Sequence, residues 1–262
     1  NEEFAKWLRG EISMPFGKNN AHVNIHLIDF EQIENNTFLL TNQFKIQARE
    51  VKIPDIVMFV NGIPLVVGEL KTPVRPAISW FDAAHDINVI YENTVPQLFV
   101  PNVFSFASEG KEVYIGGVRT PLELWAPWRI EDEKDELGHM LSLQDVAGQL
   151  TNLLKPSTLL DILQYFTVYA TNSKKKKVKV VCRYQQYEGA NAIVERVKEG
   201  IIKKGLIWHF QGSGKSLLML FAAQKLRKQE ELNNPTVLIV VDRTDLDTQI
   251  TATFNTAEVP NM

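Results

Sequence analysis

Ile53-Pro-Asp-Ile-Val-Met-Phe-Val-Asn-Gly-Ile-Pro-Leu-Val-Val-Gly-Glu-Leu-Lys-Thr72 reads as a strand, a turn, a second strand and three charges placed at the strand ends. Asp55 opens the first apolar run, Asn61-Gly62 is a strong short hairpin-turn signal, and the run from Leu65 ends in Glu69-Leu70-Lys71. The turn folds Glu69 back beside Asp55. Side chains alternate along a strand, so Glu69 and Lys71 share one face. A two-residue turn would leave Asp55 and Glu69 on opposite faces, whereas a three-residue turn with a bulge sets them opposite each other on one face. The bulged register is expected, and Pro64, which cannot donate to a ladder, suits it.

Two carboxylates and an ammonium at strand ends make a site for a hard cation. Asp55 and Glu69 would hold Mg²⁺ through oxygen, and Lys71 would orient a water for attack on phosphorus. The plainer reading is a hairpin whose charged ends reach solvent. Against it, Val66-Val67-Gly68 makes the second strand look buried on both faces, and Glu and Lys directly after such a run point to a site.

Asp55 with Glu69-Leu70-Lys71 resembles the PD-(D/E)xK nuclease signature. The wider text, Leu27-Ile-Asp-Phe-Glu31, Glu34-Asn-Asn-Thr-Phe38, Asn42-Gln-Phe44, Pro54-Asp-Ile-Val57, Val60 to Val67 and Val95-Pro-Gln-Leu-Phe99, resembles the restriction (R) subunit of type I restriction-modification enzymes. The likeness runs from about residue 22 onward. It implies a mixed-sheet α/β nuclease domain and a third metal-directed acid from an N-terminal helix, for which Glu3 and Glu11 are the candidates. Related nucleases often carry Gln-x-x-x-Tyr after the hairpin; with Tyr91 as the tyrosine, Ile87 stands at the glutamine position, so Tyr91 is equally a core residue.

The 262 residues suffice for two modest domains. A net charge of −3 argues against a uniformly basic nucleic-acid coat and confines DNA contact to local patches. Cys182, the single cysteine, excludes an internal disulfide, a four-cysteine zinc site and an iron–sulfur cluster held within the chain, and a reducing cytoplasm is the expected setting. No apolar run approaches the ~20 residues that span a bilayer, so no membrane is expected. The start at Asn1 without Met or leader leads to the expectation of a fragment.

In chain order, Asn1 caps a helix over residues 2–8 ended by Gly10. Strands are expected over residues 22–28 and 37–46, joined by a turn at 34–36 and flanking the hairpin. Ser79 caps a helix through Phe81, Ala84, Ile87 and Tyr91, and residues 98–100, 103–107 and 112–116 read as further strands. His22, His26, His85 and His139 read as structural or solvent-facing, and Trp125 and Trp128 as packing anchors. An acidic patch, Glu131 to Glu136, precedes amphipathic helices over 141–154 and 157–169 divided by Pro156. Asn172 to Lys179 is the one basic run, either a solvated loop or a phosphate contact.

A second constellation follows. Gly205-Leu-Ile-Trp-His-Phe-Gln-Gly-Ser-Gly-Lys-Ser216 reads as an apolar strand, a glycine-rich turn and a helix start. Gly212, Ser213 and Gly214 would close backbone amides around ATP phosphates, Lys215 would reach the outer phosphates, and Ser216 would ligate Mg²⁺. His209 stands where the usual first glycine would be. A helix over 217–229 and a buried parallel strand over 235–242 complete a strand–helix–strand unit of RecA-like kind. Arg183 to Tyr187 resembles the adenine-reading segment of superfamily 2 helicases, with Gln186 as the base contact or Gln185 in its place. Asp242-Arg-Thr-Asp-Leu-Asp247 resembles the motif with which such motors grip a DNA backbone.

The expected organisation is a PD-(D/E)xK endonuclease domain over 1–155, a helical and basic connector over 156–182, and the incomplete start of a RecA-like ATPase lobe over 183–262. The resemblance implies ATP-driven translocation on double-stranded DNA coupled to its cleavage, with methyltransferase and specificity subunits as partners. Without an Asp-Glu-x-His strand end before Met262, the fragment itself is expected to bind ATP weakly and not to hydrolyse it efficiently. Two alternatives remain at this point: a repair nuclease-helicase, and a non-cutting DNA- or nucleotide-binding module.

Overall fold

Asn61 and Gly62 both take the left-handed backbone, φ 51° and 79°, as a two-residue turn between right-twisted strands requires. In the computed structural model, which describes residues 1–72, 74, 78–129, 146–171 and 176–241, that turn is an exposed part of the first of two compact units, 1–164 and 165–262.

The first unit opens with α1 (Glu2–Leu8), carrying two acids in its first turn and closed by Gly10 at φ 68°. Asn1 is its N-cap residue, accepting from Ala5 N through its backbone carbonyl, while its side chain makes no capping bond and donates through Nδ2 to the carbonyls of Phe99, Val100 and Asn102. An exposed hairpin, β1 (Ser13–Phe16) and β2 (Ala21–Asn24), follows. The expected strand over 22–28 thus shrinks to β2 and pairs only with β1. The 34–36 turn is a 3₁₀ turn, Ile33–Asn35. Next come β3 (Phe38–Asn42), β4 (Ile46–Gln47), β5 (Val51–Lys52), β6 (Ile56–Val60) and β7 (Ile63–Leu70). The strand expected over 37–46 stops at β3 because Gln43 turns left-handed, φ 50°.

From β7 the chain enters α2 (Trp80–His85), whose cap is built as expected: Ser79 Oγ accepts from Phe81 N and Asp82 accepts from Ser79 N. The helix then widens into a π-turn, Asp86–Tyr91, and closes with α3 (Glu92–Thr94). Residues 98–100 are not a strand; Pro96 starts a 3₁₀ turn, Pro96–Phe99. The chain continues through β8 (Phe104–Ser108), β9 (Val113–Gly116), β10 (Ala126–Trp128), α4 (Val146–Leu154) and α5 (Pro156–Tyr165).

Among the described residues, six strands form one mixed sheet in the order β10-β9-β8-β7-β6-β3, with β7 and β8 parallel and the other neighbours antiparallel. The helical segment between β7 and β8 is therefore a crossover lying on one sheet face. Ala83, Ala84, Ile87 and Tyr91 bury that face with Val57, Val67 and Ala107. Each fully buried aliphatic side chain contributes about 1.5–3 kcal/mol.

In the second unit, β11 (Thr167–Thr171) and β12 (Lys177–Val181) form a hairpin. The helix expected to reach residue 169 ends at Tyr165, where β-branched Thr167 and Val168 favour the strand. α6 (Tyr184–Glu199) packs on α7 (Lys215–Arg227), and Phe166 lies against both Tyr187 and Phe221. The run 205–210, expected as an apolar strand, and the run 235–241, expected within a buried parallel strand over 235–242, are not strands. Leu206, Trp208, Leu238 and Val240 are 80% exposed or more. A parallel strand is held by ladders to its neighbours, and no described strand pairs with either run. The acidic patch at 131–136, residues 141–145 and 172–175, and the 242–247 motif lie outside the described residues.

Candidate active site

The register of β6 with β7 decides where the charges meet. Next to the turn Val60 pairs with Ile63 and Phe59 with Pro64; beyond it Met58 pairs with Val66, Val57 with Val67 and Ile56 with Gly68. Leu65 is the extra residue. The bulge is present as expected, but inside the strand rather than in the turn, which keeps two residues. Its effect is the one expected: Asp55 comes opposite Glu69 on a common face.

Asp55 Oδ2 accepts from the backbone N of Leu70 at 2.9 Å, and its Oδ1 from Gln43 Nε2 at 2.6 Å. Glu69 shares the face of Val67 under the crossover helix and is only 6% exposed. Its Oε2 accepts from Tyr91 Oη at 3.1 Å, and its Oε1 from Lys71 Nζ at 3.0 Å. Lys71 Nζ also donates to Asp86 Oδ2 at 2.5 Å. Asp55, Glu69 and Lys71 are thus brought together, with Gln43, Asp86 and Tyr91 around them.

Burial pushes the Glu69 carboxyl above the ordinary glutamate range; the bond from Lys71 opposes this and the Asp55 charge adds to it. Burial alone would lower the Lys71 ammonium, but the bonds to Asp86 and Glu69 outweigh it and hold it above the lysine range. Tyr91 is raised by burial and by the Glu69 charge, so it stays protonated and donates.

Two carboxylates, Glu69 and Asp86, bind the one ammonium and Asp55 acts on Glu69 from nearby, a surplus of negative charge suited to a divalent cation. No group of three or more His, Cys, Asp or Glu side chains among the described residues converges as metal ligands. Asp55 and Glu69 form a two-carboxylate oxygen set, the small protein contribution that Mg²⁺ takes while keeping several waters. Each carboxylate oxygen that accepts one hydrogen bond retains a lone pair. Glu3 and Glu11 have other partners, Lys6 and Arg9.

In the second unit Gly212 and Gly214 adopt φ 87° and 84°, opening the loop before α7, with Lys215 and Ser216 in the first helical turn. Lys215 Nζ donates to the carbonyls of His209 and Phe210. Ser213 Oγ is buried with no hydrogen-bond partner, an orphaned polar atom in the loop. Gln186 lies in the first turn of α6. Its Nε2 donates to the carbonyls of Ser213 and Gly214 and its Oε1 accepts from Arg183 N, so its amide is bound to backbone. A glycine loop with left-handed turns, a lysine and a helix start fits a nucleotide phosphate.

Residues 1–124 match the family described as the type I restriction enzyme R protein N terminus. Residues 1–124 are thus a domain of the type I restriction enzyme R-protein N-terminal family. Residues 185–262 match the SWI2/SNF2 ATPase family. The chain is 36% identical over 267 aligned positions to the HindI type I restriction enzyme endonuclease subunit of Haemophilus influenzae, covering 98% of this chain and 25% of the relative. A subunit assigned to the type I enzyme MjaVIIIP of Methanocaldococcus jannaschii is 29% identical, with 95% and 24% covered. The SauMSSORF170P endonuclease subunit of a type I restriction enzyme in Staphylococcus aureus is 25% identical, with 97% and 26% covered. The chain therefore spans about a quarter of the length of these R-protein relatives.

The cluster at the hairpin end holds two residues that sequence reasoning did not assign, Asp86 and Gln43. Gln43 sits in the Asn42-Gln-Phe44 text without any signal of its role. Asp86 looks like an ordinary solvent-face acid at helical spacing. No described helix is long and apolar enough to cross a membrane.

Proposed function

We propose that this chain carries the nuclease of a type I R subunit and the opening of its motor. In this reading the first unit is a PD-(D/E)xK endonuclease domain that cuts double-stranded DNA by Mg²⁺-dependent phosphodiester hydrolysis, and residues 183–262 begin a RecA-like, ATP-binding lobe. The observation that carries it is the meeting of Asp55, Glu69 and Lys71 at one end of the β6–β7 hairpin.

Asp55 and Glu69 would hold Mg²⁺, which when bound supplies Lewis-acid activation of the phosphodiester and of water. The Lys71 ammonium would orient the attacking water and counter charge on the phosphate oxygens. Tyr91 donates to the buried Glu69 and fixes its carboxylate plane. In the second unit Gly212, Ser213 and Gly214 would line the phosphates of ATP, Lys215 would leave the His209 and Phe210 carbonyls for them, and Ser216 would ligate the nucleotide's Mg²⁺. Gln186, its amide spent on the loop backbone, would brace that loop beside the adenine, leaving Gln185 as the alternative base contact. ATP-driven translocation, partnership with methyltransferase and specificity subunits, and a cytoplasmic setting complete the proposal.

The test is plasmid cleavage in Mg²⁺ and ATP by the full-length protein containing this chain, with its partner subunits. Asp55→Ala and Lys71→Ala are expected to abolish cutting while ATP hydrolysis persists. Cutting at the wild-type rate by both variants would refute the nuclease assignment.

A further inference from the structure

The helix over the hairpin carries two acids, Asp82 and Asp86, with different employment. Asp82 accepts from Ser79 N and completes the helix cap. Asp86 faces inward and takes the Lys71 ammonium, which at the same time holds Glu69 Oε1. Five residues further on, Tyr91 donates to the other Glu69 oxygen.

In an α-helix five residues turn about 140° beyond one revolution, so Asp86 and Tyr91 would point to different sides. The backbone between them is π-helical, with i→i+5 bonding, and a π-turn takes in more residues than an α-turn, so the two side chains come closer to one side. The wider turn is what lets both side chains reach one site. Such turns are rare and recur at functional sites.

Lys71 is shared between two carboxylates of unequal duty. Glu69 is a would-be cation ligand, and a ligand oxygen turned to a cation loosens its bond to an ammonium. We propose that Asp86 is a positioning residue: it retains the Lys71 ammonium when Glu69 takes up a divalent cation, keeping the ammonium at the hairpin end, and the π-turn places it there. This inference rests on the nuclease reading above.

Removing Asp86 leaves Lys71 to Glu69 alone. The ammonium then competes directly with a cation for the carboxylate, and on release it has no fixed resting place. Both consequences are measurable on the full-length protein. Substitutions that remove the support of a metal ligand or its partners cost about 10–100-fold in metal affinity or activity.

Asp86→Asn is isosteric and tests charge without a cavity; Asp86→Glu tests whether a carboxylate one methylene longer restores function. Two readouts are needed, plasmid cleavage with the partner subunits and calorimetric titration with Mg²⁺ alone. Asp86→Asn is expected to cut about 10–100-fold more slowly at unchanged KM for DNA and to bind Mg²⁺ more weakly, with Asp86→Glu recovering most of both. Wild-type cutting and Mg²⁺ affinity in Asp86→Asn, beside an inactive Asp55→Ala, overturn the role of Asp86 and leave the nuclease reading standing. A loss that merely follows a lowered folded fraction, with Mg²⁺ affinity per folded molecule unchanged, overturns it as well. Normal cutting by Asp55→Ala and Lys71→Ala removes the nuclease reading and this inference together.

Discussion

Gly68 is the residue at which packing and site geometry are most tightly joined. It precedes Glu69 on β7 and pairs across the parallel ladder with Phe106 of β8. A Cβ at Gly68 would lie 2.1, 2.4 and 2.6 Å from three atoms of the Phe106 ring, which is fully buried. Ordinary carbon contacts lie near 3.5–4.0 Å, so the ring or the strand would have to retreat by more than about 1 Å. Replacing Gly by Ala inside a strand with room to spare stabilises by about 0.5–1 kcal/mol. Overpacking a filled core costs about 1–3 kcal/mol. The clash therefore fixes the sign: Gly68→Ala is expected to destabilise by about 1–3 kcal/mol, a fall of about 2–12 °C in melting temperature for a unit of this size. Urea unfolding followed by tryptophan fluorescence measures it, in the wild type and in Phe106→Leu. The smaller, flexible leucine should absorb part of the added methyl, so the two substitutions should couple. Cutting should suffer too, because Glu69 moves with its neighbour, and about 1 Å of misplacement costs on the order of 100-fold. A Gly68→Ala protein as stable as the wild type, or more so, refutes the packing argument.

Two further predictions concern other parts of the chain. Glu92 accepts from Arg119 N and Asn88 Nδ2, and burial pushes its carboxyl from 4.5 up to about 7. The folded state thus holds the proton more tightly than the unfolded state, so this stabilisation is complete below about 4.5 and lost as pH rises through about 7, amounting to at most ~3 kcal/mol. Glu92→Gln should flatten the decline in melting temperature between about pH 5 and pH 8; an unchanged slope would count against the burial argument. At the glycine loop before α7, a Cβ on Gly214 would sit 2.2 Å from Gln186 Nε2 on a backbone at φ 84°. The left-handed backbone alone costs about 1–2 kcal/mol, so Gly214→Ala should weaken nucleotide binding about 5–30-fold in a fluorescent-ATP titration. Gln186→Ala would restore the room but not the backbone freedom, and full recovery in the double variant would disprove the backbone argument.

The hairpin was legible because its signals are local: a turn dipeptide that tolerates positive φ, alternation of faces, and charges at a strand end. The bulge was legible by its consequence, since the proposed chemistry needs Asp55 and Glu69 on one face, but its place at Leu65 lies among long-range contacts that no local pattern carries; Leu65 O, for instance, accepts from Val103 N, just before β8. Apolar runs were less reliable. Residues 205–210 and 235–241 carry strand-like composition, yet a parallel strand exists only through neighbours, and no described strand pairs with them. Residues 167–171 erred in the opposite sense. Their apolar spacing continues that of α5, while Thr167 and Val168 pair with Val181 and Val180 in a hairpin.

Asp86 escaped for a more specific reason. Ala83, Ala84, Ile87 and Tyr91 all fall on the buried face, and that pattern is satisfied by an uninterrupted α-helix. In such a helix Asp86 belongs to the solvent side and calls for no explanation. One wide turn leaves the apolar pattern nearly intact while rotating Asp86 towards Lys71, because the backbone changes by a single hydrogen-bond step and the core residues on either side keep their places. Periodicity therefore reports the face that packs and is insensitive to a one-step change at its edge, which is where a polar side chain enters the site. The signal available beforehand was electrostatic: Glu69 and Asp55 leave Lys71 a minority charge, and a third carboxylate on the covering helix is the group that can hold an ammonium without occupying a cation ligand.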